Sequence, residues 1–376
     1  MNCLYDMKKI FPLIISLALV VVGCSESQEK DLGLDHRNKA LLKMGMIYYG
    51  EDPHARNFND MYYAFAASQG EISEASSAAK GDFKAKVHDL SRKERKYLQT
   101  VFEDIADLAV LANYSYKDEQ VLLPKGWVDM GKQNPKIEEI FDRPSEYRLL
   151  PMGLKCSLMS KGERQVLVFA GTDFPSTWKK YDQVLHFLSD AYEDVYGALN
   201  MDATQVVLAR EVVDELIAAG YVKKENLEFA GHSLGGRLAS EMSVRYGCPA
   251  VIFNSAGVSP QVYKDYVEAR RTADDQWRGY IINVVSANDP LTCVQKYMSE
   301  SKASLLAKVS KIIFTDRKTR DQFVSIGLDL IGSVVGNANG KEYRAIGAVM
   351  PIRENMAGHG IKDLAASLRE RAEMCD

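Results

Sequence analysis

Six cysteines and six histidines in 376 residues are few, and their spacing excludes a good deal. Cys3, Cys24, Cys156, Cys248, Cys293 and Cys375 match no zinc pattern, which needs paired ligands a few residues apart. No basic stripe stands out, and a formal net charge of −4 gives no electrostatic case for nucleic acid. Lys and Arg are scattered among Asp and Glu, most densely over Ser91 to Lys96, which reads as a solvated helix face. No internal repeat recurs along the chain. No metal or organic cofactor is implied. What is there is ordinary for a globular protein: 46% apolar and 26% charged residues, enough chain for one large core or two modest ones.

The amino terminus is a separate object. Lys8 and Lys9 precede an apolar run from Ile10 to Val22, broken only by Pro12 and Ser16. The run is short for a membrane span and suits the core of a signal peptide covering residues 1–23. It ends in Val21-Val22-Gly23-Cys24, which resembles a bacterial lipobox. The resemblance implies lipidation at Cys24, a polar tether over 24–40, export, and anchoring in the bacterial cell envelope. Several acyl chains would make that anchoring stable where one would be marginal. Export permits disulfides, but Cys248 and Cys293 flank expected core strands, so buried free thiols are the reading for the remaining cysteines.

From 41 to 125 the pattern is helical. Leu98, Val101, Phe102, Ile105, Leu108, Ala109 and Ala112 recur at three-and-four spacing, one strong amphipathic helix. Met61 to Ala67 suggests another helix, and Gly70 to Gly81 a loop or a weak helix. His36, His54 and His88 are isolated and read as surface residues. After Pro124-Lys-Gly126 the pattern changes. Tyr147 to Met159 and Gln165 to Ala170 read as strands of a hairpin turning at Lys161-Gly162. A helix follows over about Met201 to Ala219, then strands at Leu227 to Ala230, Ala250 to Asn254 and Tyr280 to Ser286. Strands alternating with helices imply parallel βαβ units with active residues at the strand carboxyl ends. The expected architecture is an α/β-hydrolase fold over 126–376, mostly parallel in its sheet, preceded by the helical region and carrying an insertion at about 300–340.

The most informative stretch is Asn226-Leu-Glu-Phe-Ala-Gly231-His232-Ser233-Leu234-Gly235-Gly236. An apolar strand runs into Gly-x-Ser-x-Gly and a helix begins at once, the context that a nucleophile elbow requires. Gly231 and Gly235 leave room for a turn in which larger residues would collide. A serine hydroxyl is a poor nucleophile near neutral pH and needs a histidine base oriented by a carboxylate. His359, in Met356-Ala-Gly-His-Gly-Ile, is the single histidine downstream of Ser233. Asp289 follows an apolar strand in Val284-Val-Ser-Ala-Asn-Asp289-Pro290, whereas Asp265, Asp274, Asp275, Asp316 and Asp321 lie in polar surroundings. His232 is adjacent to the serine in sequence and points away from its hydroxyl. Two donors for an oxyanion are expected from the backbone of Leu234 and from Thr172, which follows Val166-Leu-Val-Phe-Ala-Gly171.

Val-Phe-Ala-Gly-Thr-Asp173, then Trp178 and Asp182, then Gly-His-Ser-Leu-Gly-Gly236 and Phe253-Asn-Ser-Ala-Gly257 together resemble class 3 lipases, from about Leu108 to His359. The resemblance looks closest to a bacterial lipase-like branch with a helical amino-terminal region. It implies Ser233, Asp289 and His359 as triad, Thr172 and Leu234 as oxyanion donors, and a lid over Phe174 to Phe187, which equally reads as a packed surface helix. Ala170 departs from the arginine that better-known relatives carry there. The expected activity is hydrolysis of carboxylic esters, with a glycerolipid or phospholipid as partner. Three alternatives stay open: a small-ester esterase, thioesterase or acyltransferase, an inactive binding lipoprotein, and a membrane-damaging effector, against which the lipobox counts.

Overall fold

The computed structural model describes residues 36–47, 71–116, 121–142, 154–171, 205–272, 278–286, 289, 345–354 and 360–376. Among them seven strands form one sheet in chain order, β1 (Val128–Asp129), β2 (Cys156–Lys161), β3 (Arg164–Phe169), β4 (Leu227–His232), β5 (Ala250–Phe253), β6 (Ile281–Ser286) and β7 (Ala348–Ile352). β1, β2 and β3 pair antiparallel, and β3 through β7 run parallel. The hairpin turns at Gly162, where φ is 63°, and sets Cys156 opposite Phe169. β2 begins later than the sequence pattern suggests, and residues 147–153 lie outside the described set.

The strands are apolar on both faces because both are covered. Val166, Val168, Ala230, Val251, Phe253, Ile282 and Val284 face one core, shared with helices α1 (His36–Lys43), α2 (Glu71–His88), α3 (Arg92–Tyr114) and, after β7, α9 (Ile361–Glu373). Leu167, Phe169, Leu227, Phe229, Ala250 and Ile252 face the other. That core is filled by α5 (Pro135–Asp142, after the single turn α4, Met130–Gln133), a helix over 205–218 (α6), α7 (Leu234–Tyr246) and α8 (Pro260–Arg271). This is the mostly parallel α/β sheet, with helices on both sides, of a hydrolase-like fold. The Ser/Ala-rich stretch is helical over 71–81, as part of α2: packing of Phe83 and Val87 into the core fixes a helix whose own propensity is modest. β7 and α8 were not legible as separate elements.

α3 carries the helical region onto the sheet. It starts at a capping box, in which the Ser91 hydroxyl accepts from the Glu94 amide and the Glu94 carboxylate accepts from the Ser91 amide. All seven residues of its apolar stripe are buried. Its polar edge is tied down by Arg164, which bridges Asp104 and Glu228 and stacks on Trp127. Asp107 accepts from Trp127 Nε1 at 3.0 Å, from Lys161 at 3.2 Å and from Arg369. Asp104 therefore lies near the start of β4, and the helix runs along that strand. Asp104 to Tyr114 covers about 15 Å of helix, much the same as the about 13 Å of strand from Glu228 to His232.

Cys156, Cys248 and Cys375 are buried, and burial pushes the Cys248 and Cys375 thiols up to about 11. Cys293 lies outside the described residues. No described helix is long and apolar enough to cross a membrane.

A second tie closes the carboxyl-terminal side. Arg371 of α9 donates to both Glu354 oxygens, at 2.7 and 2.9 Å, and to the Pro351 carbonyl at 2.7 Å, with Phe83 and Phe102 against its guanidinium. Both partners are buried. A buried pair is costly to break from one side, because the remaining charge has neither partner nor water. Arg371→Met is expected to lower the unfolding free energy by about 3–5 kcal/mol, read from urea melts, and Arg371→Met with Glu354→Leu to recover much of that loss. A double variant as unstable as the single one would contradict this account.

Candidate active site

β4 is buried from Leu227 to His232 and delivers the chain directly into α7. Ser233, between them, has φ 58° and ψ −125°, a conformation that residues with a Cβ adopt only when their surroundings impose it. The surroundings are the end of β5. The Ser233 amide donates to the Phe253 carbonyl at 3.1 Å, and the Ser233 carbonyl accepts from Ala256 and Gly236, both at 3.0 Å. The flanking glycines are required by close approach. A Cβ on Gly231 would strike the backbone of Gly235, and one on Gly235 would strike the Phe169 carbonyl at the end of β3. Their absence lets the first turn of α7 sit against two strand ends at once.

Among the described residues three serines stand immediately before helices, and they behave differently. Ser91 and Ser259 are in extended backbone and cap their helices through the hydroxyl. Ser233 makes no capping hydrogen bond. Its backbone turns the hydroxyl away from the role that a serine at this position usually fills. The Leu234 and Gly235 amides open α7, where the first-turn N–H groups have no carbonyl partner within the helix. Partial positive charge gathers there, beside the serine. Further along α7 a buried ion pair, Arg237 to Glu241 at 3.1 Å, holds the helix, and burial pushes the Glu241 carboxyl up against the pull of Arg237.

Asp289 is fully buried just beyond the end of β6, its amide donating to the Ser286 carbonyl at 3.1 Å. β5 separates β4 from β6, so Ser233 and Asp289 leave the same edge of the sheet two strand spacings, about 10 Å, apart. Between them stands Asn254, with φ 42°. Its side-chain oxygen accepts from the Ser286 amide at 2.8 Å and its amide donates to the Val284 carbonyl at 2.9 Å. Asn254 thus clamps the end of β6, from which the Asp289 loop departs. Asp265 is exposed on α8. Thr172, His359, Cys24 and Phe174 to Phe187 lie outside the described residues. Gly171, which follows β3, lies against Ser233. His232 is buried, and its Nδ1 meets the Tyr116 hydroxyl at 2.7 Å. Among the described residues, no three His, Cys, Asp or Glu gather so as to hold a metal ion.

Sequence reasoning passed over Asn254 and Tyr116. A signal existed for the first, since asparagine at a strand end tolerates positive φ and offers a side-chain acceptor. None existed for Tyr116, whose partner is 116 positions away.

A family model described as "Phospholipase-like: Tle-like phospholipase domain" matches residues 107–334, more than half of the chain. The matched stretch takes in the last third of α3, β1 through β6, Ser233 and Asp289. A comparison with curated proteins finds no match.

Asn254→Ala leaves the buried Ser286 amide without its acceptor, a loss of about 1–3 kcal/mol. The expected outcome is a lower thermal midpoint together with weaker protection of the Ser286 amide in hydrogen exchange. Unchanged protection at that amide would remove Asn254 from its clamping role.

Proposed function

The chain belongs to the Tle-like phospholipase family, and from that premise we propose that it hydrolyses the carboxylic esters of phospholipids through Ser233, His359 and Asp289. The observation that carries this reading is Ser233 itself. It sits at positive φ between a buried parallel strand and a helix amino terminus, with its hydroxyl not spent on capping. The likeness to class 3 lipases supports the same residues in the same roles.

In the proposed reaction Ser233 Oγ attacks the acyl carbonyl carbon while His359 takes the hydroxyl proton. The negative charge that develops on the carbonyl oxygen is received by the Leu234 and Thr172 amides. The intermediate collapses, the carbon–oxygen bond to the glycerol breaks, and His359 returns the proton to the departing alcohol, a lysophospholipid. Water, deprotonated by His359, then attacks the acyl-serine and releases the fatty acid. Asp289 accepts from the imidazole, fixes its tautomer and stabilises its cationic form. Its complete burial suits that task, because a carboxylate out of water acts strongly on a close cation. A phospholipid substrate rather than a soluble ester fits the family description and the expected lipid anchor at Cys24 in the bacterial cell envelope, which would hold the site beside its substrate.

The test is fatty-acid release from phosphatidylcholine and phosphatidylglycerol vesicles by the full chain, with fluorophosphonate labelling in parallel. Ser233→Ala is expected to abolish both, and Asp289→Asn to lower kcat by about 10⁴-fold. A wild-type chain that neither labels nor releases fatty acid would replace this reading with that of a binding protein. Turnover confined to short soluble esters would narrow it to an esterase.

The anchor has its own test. Cys24→Ser is expected to shift the chain from the membrane to the soluble fraction of a bacterial host and to end incorporation of labelled palmitate. Continued incorporation would rule out Cys24 as the acceptor.

A further inference from the structure

The end of α3 reaches the reaction centre. Ser115 closes the helix, its hydroxyl donating to the Ala112 carbonyl at 2.7 Å, and Tyr114 is fixed by donation to Asp129 at 3.0 Å. Tyr116, next in line, is thereby aimed at the carboxyl end of β4, where its hydroxyl meets His232 Nδ1 at 2.7 Å with the rings tilted by 60°. The geometry at Gly171 locates that hydroxyl more closely. A methyl group built there would lie 2.5 Å from Tyr116 Oη, 2.7 Å from the His232 carbonyl oxygen and 3.0 Å from Ser233 Cβ. One small volume is therefore bounded by the phenol, the elbow backbone, Ser233 and Gly171. Tyr116 Oη and Ser233 Cβ are nearer than the sum of the first and last of these lengths, close enough for one bound ester carbonyl to lie beside both.

From this arrangement we propose that Tyr116 is a positioning residue for acyl transfer. Its hydroxyl, locked to His232, sets the separation between the Gly171 loop and the elbow. It thereby fixes how closely the chain leaving β3 at Gly171 approaches the first turn of α7, where the proposed reaction gathers its negative charge on the Leu234 amide. The proposal rests on the serine-hydrolase reading and gives the amino-terminal helices a task in it: they deliver this hydroxyl. The bond is kept in either tautomer of His232, since the phenol donates to a bare Nδ1 and accepts from a protonated one. A phenylalanine would keep the ring and lose its hydrogen bond to the buried His232 Nδ1. The adjacent backbone would then be free to shift, and misplacement by an ångström at a reacting centre costs up to about 10²-fold.

The experiment uses the full chain in detergent and measures fluorophosphonate labelling rate, and kcat and KM on a para-nitrophenyl ester. The proteins are the wild type, Tyr116→Phe, His232→Ala and the double variant. For Tyr116→Phe, labelling rate and kcat are expected to fall together by about 10–100-fold with KM held within about twofold. The double variant should be no slower than the slower single one, because both remove the same lock. If Tyr116→Phe melts early, His232→Ala reads the same bond from its other end. Wild-type kcat in Tyr116→Phe, or additive losses in the double variant, overturns the proposal and leaves the hydrolase reading standing. An inert wild type overturns both.

Discussion

The backbone of Ser233 is the constraint around which the rest is arranged. Positive φ at a residue with a side chain costs about 1–3 kcal/mol, and it persists because the end of β5 grips both its amide and its carbonyl. That grip requires β4 and β5 to end level with each other, which the parallel register sets by placing His232 opposite Phe253. The register in turn depends on strands that are buried on both faces, where a slip would expose apolar side chains or trap polar ones. Strain at a single residue thus draws on packing across the whole sheet.

The helices divide the remaining work. On one face α7 runs straight out of the elbow and presents its amides, with the glycines on either side of Ser233 allowing it to approach β3 and β4. On the other, α3 lies along β4 and is held by charges that reach water only partly: Asp104 and Asp107 on the helix, Arg164 and Lys161 on the hairpin, Arg369 on α9. Such pairs contribute modestly one by one. Together they fix the direction of α3, and with it the position of Tyr116. The Arg371–Glu354 pair ties α9 to the chain just past β7. The amino-terminal helices are therefore part of the same core as the sheet.

Much of this was legible before any coordinates. The stripe from Leu98 to Ala112, the hairpin at Gly162 and the strands at 227, 250 and 281 all appear near where their periodicity puts them, because burial on a fixed face leaves a periodic trace. The trace is weaker where helix propensity and apolar spacing disagree. The Ser/Ala-rich start of α2 read equally as a loop, and the described core contacts of the helix, at Phe83 and Val87, follow the ambiguous stretch. β7 was missed because Ala348 to Ile352 is short and contains Pro351, and a proline argues against a strand unless its position in the sheet is known.

The sequence by itself determined the elbow. Gly-x-Ser-x-Gly between an apolar strand and a helix is a local statement, since the turn, the small flanking residues and the helix start are all contiguous. It also determined the strand-then-helix alternation and the two buried faces. Only the tertiary structure decided which distant residues meet. Asn254 clamps β6, Tyr116 reaches His232 across 116 positions, and Arg164 joins a helix to the start of β4. These contacts arise from where whole elements pack, and a hydrogen bond between residues far apart in the chain leaves no period in the sequence by which to find it.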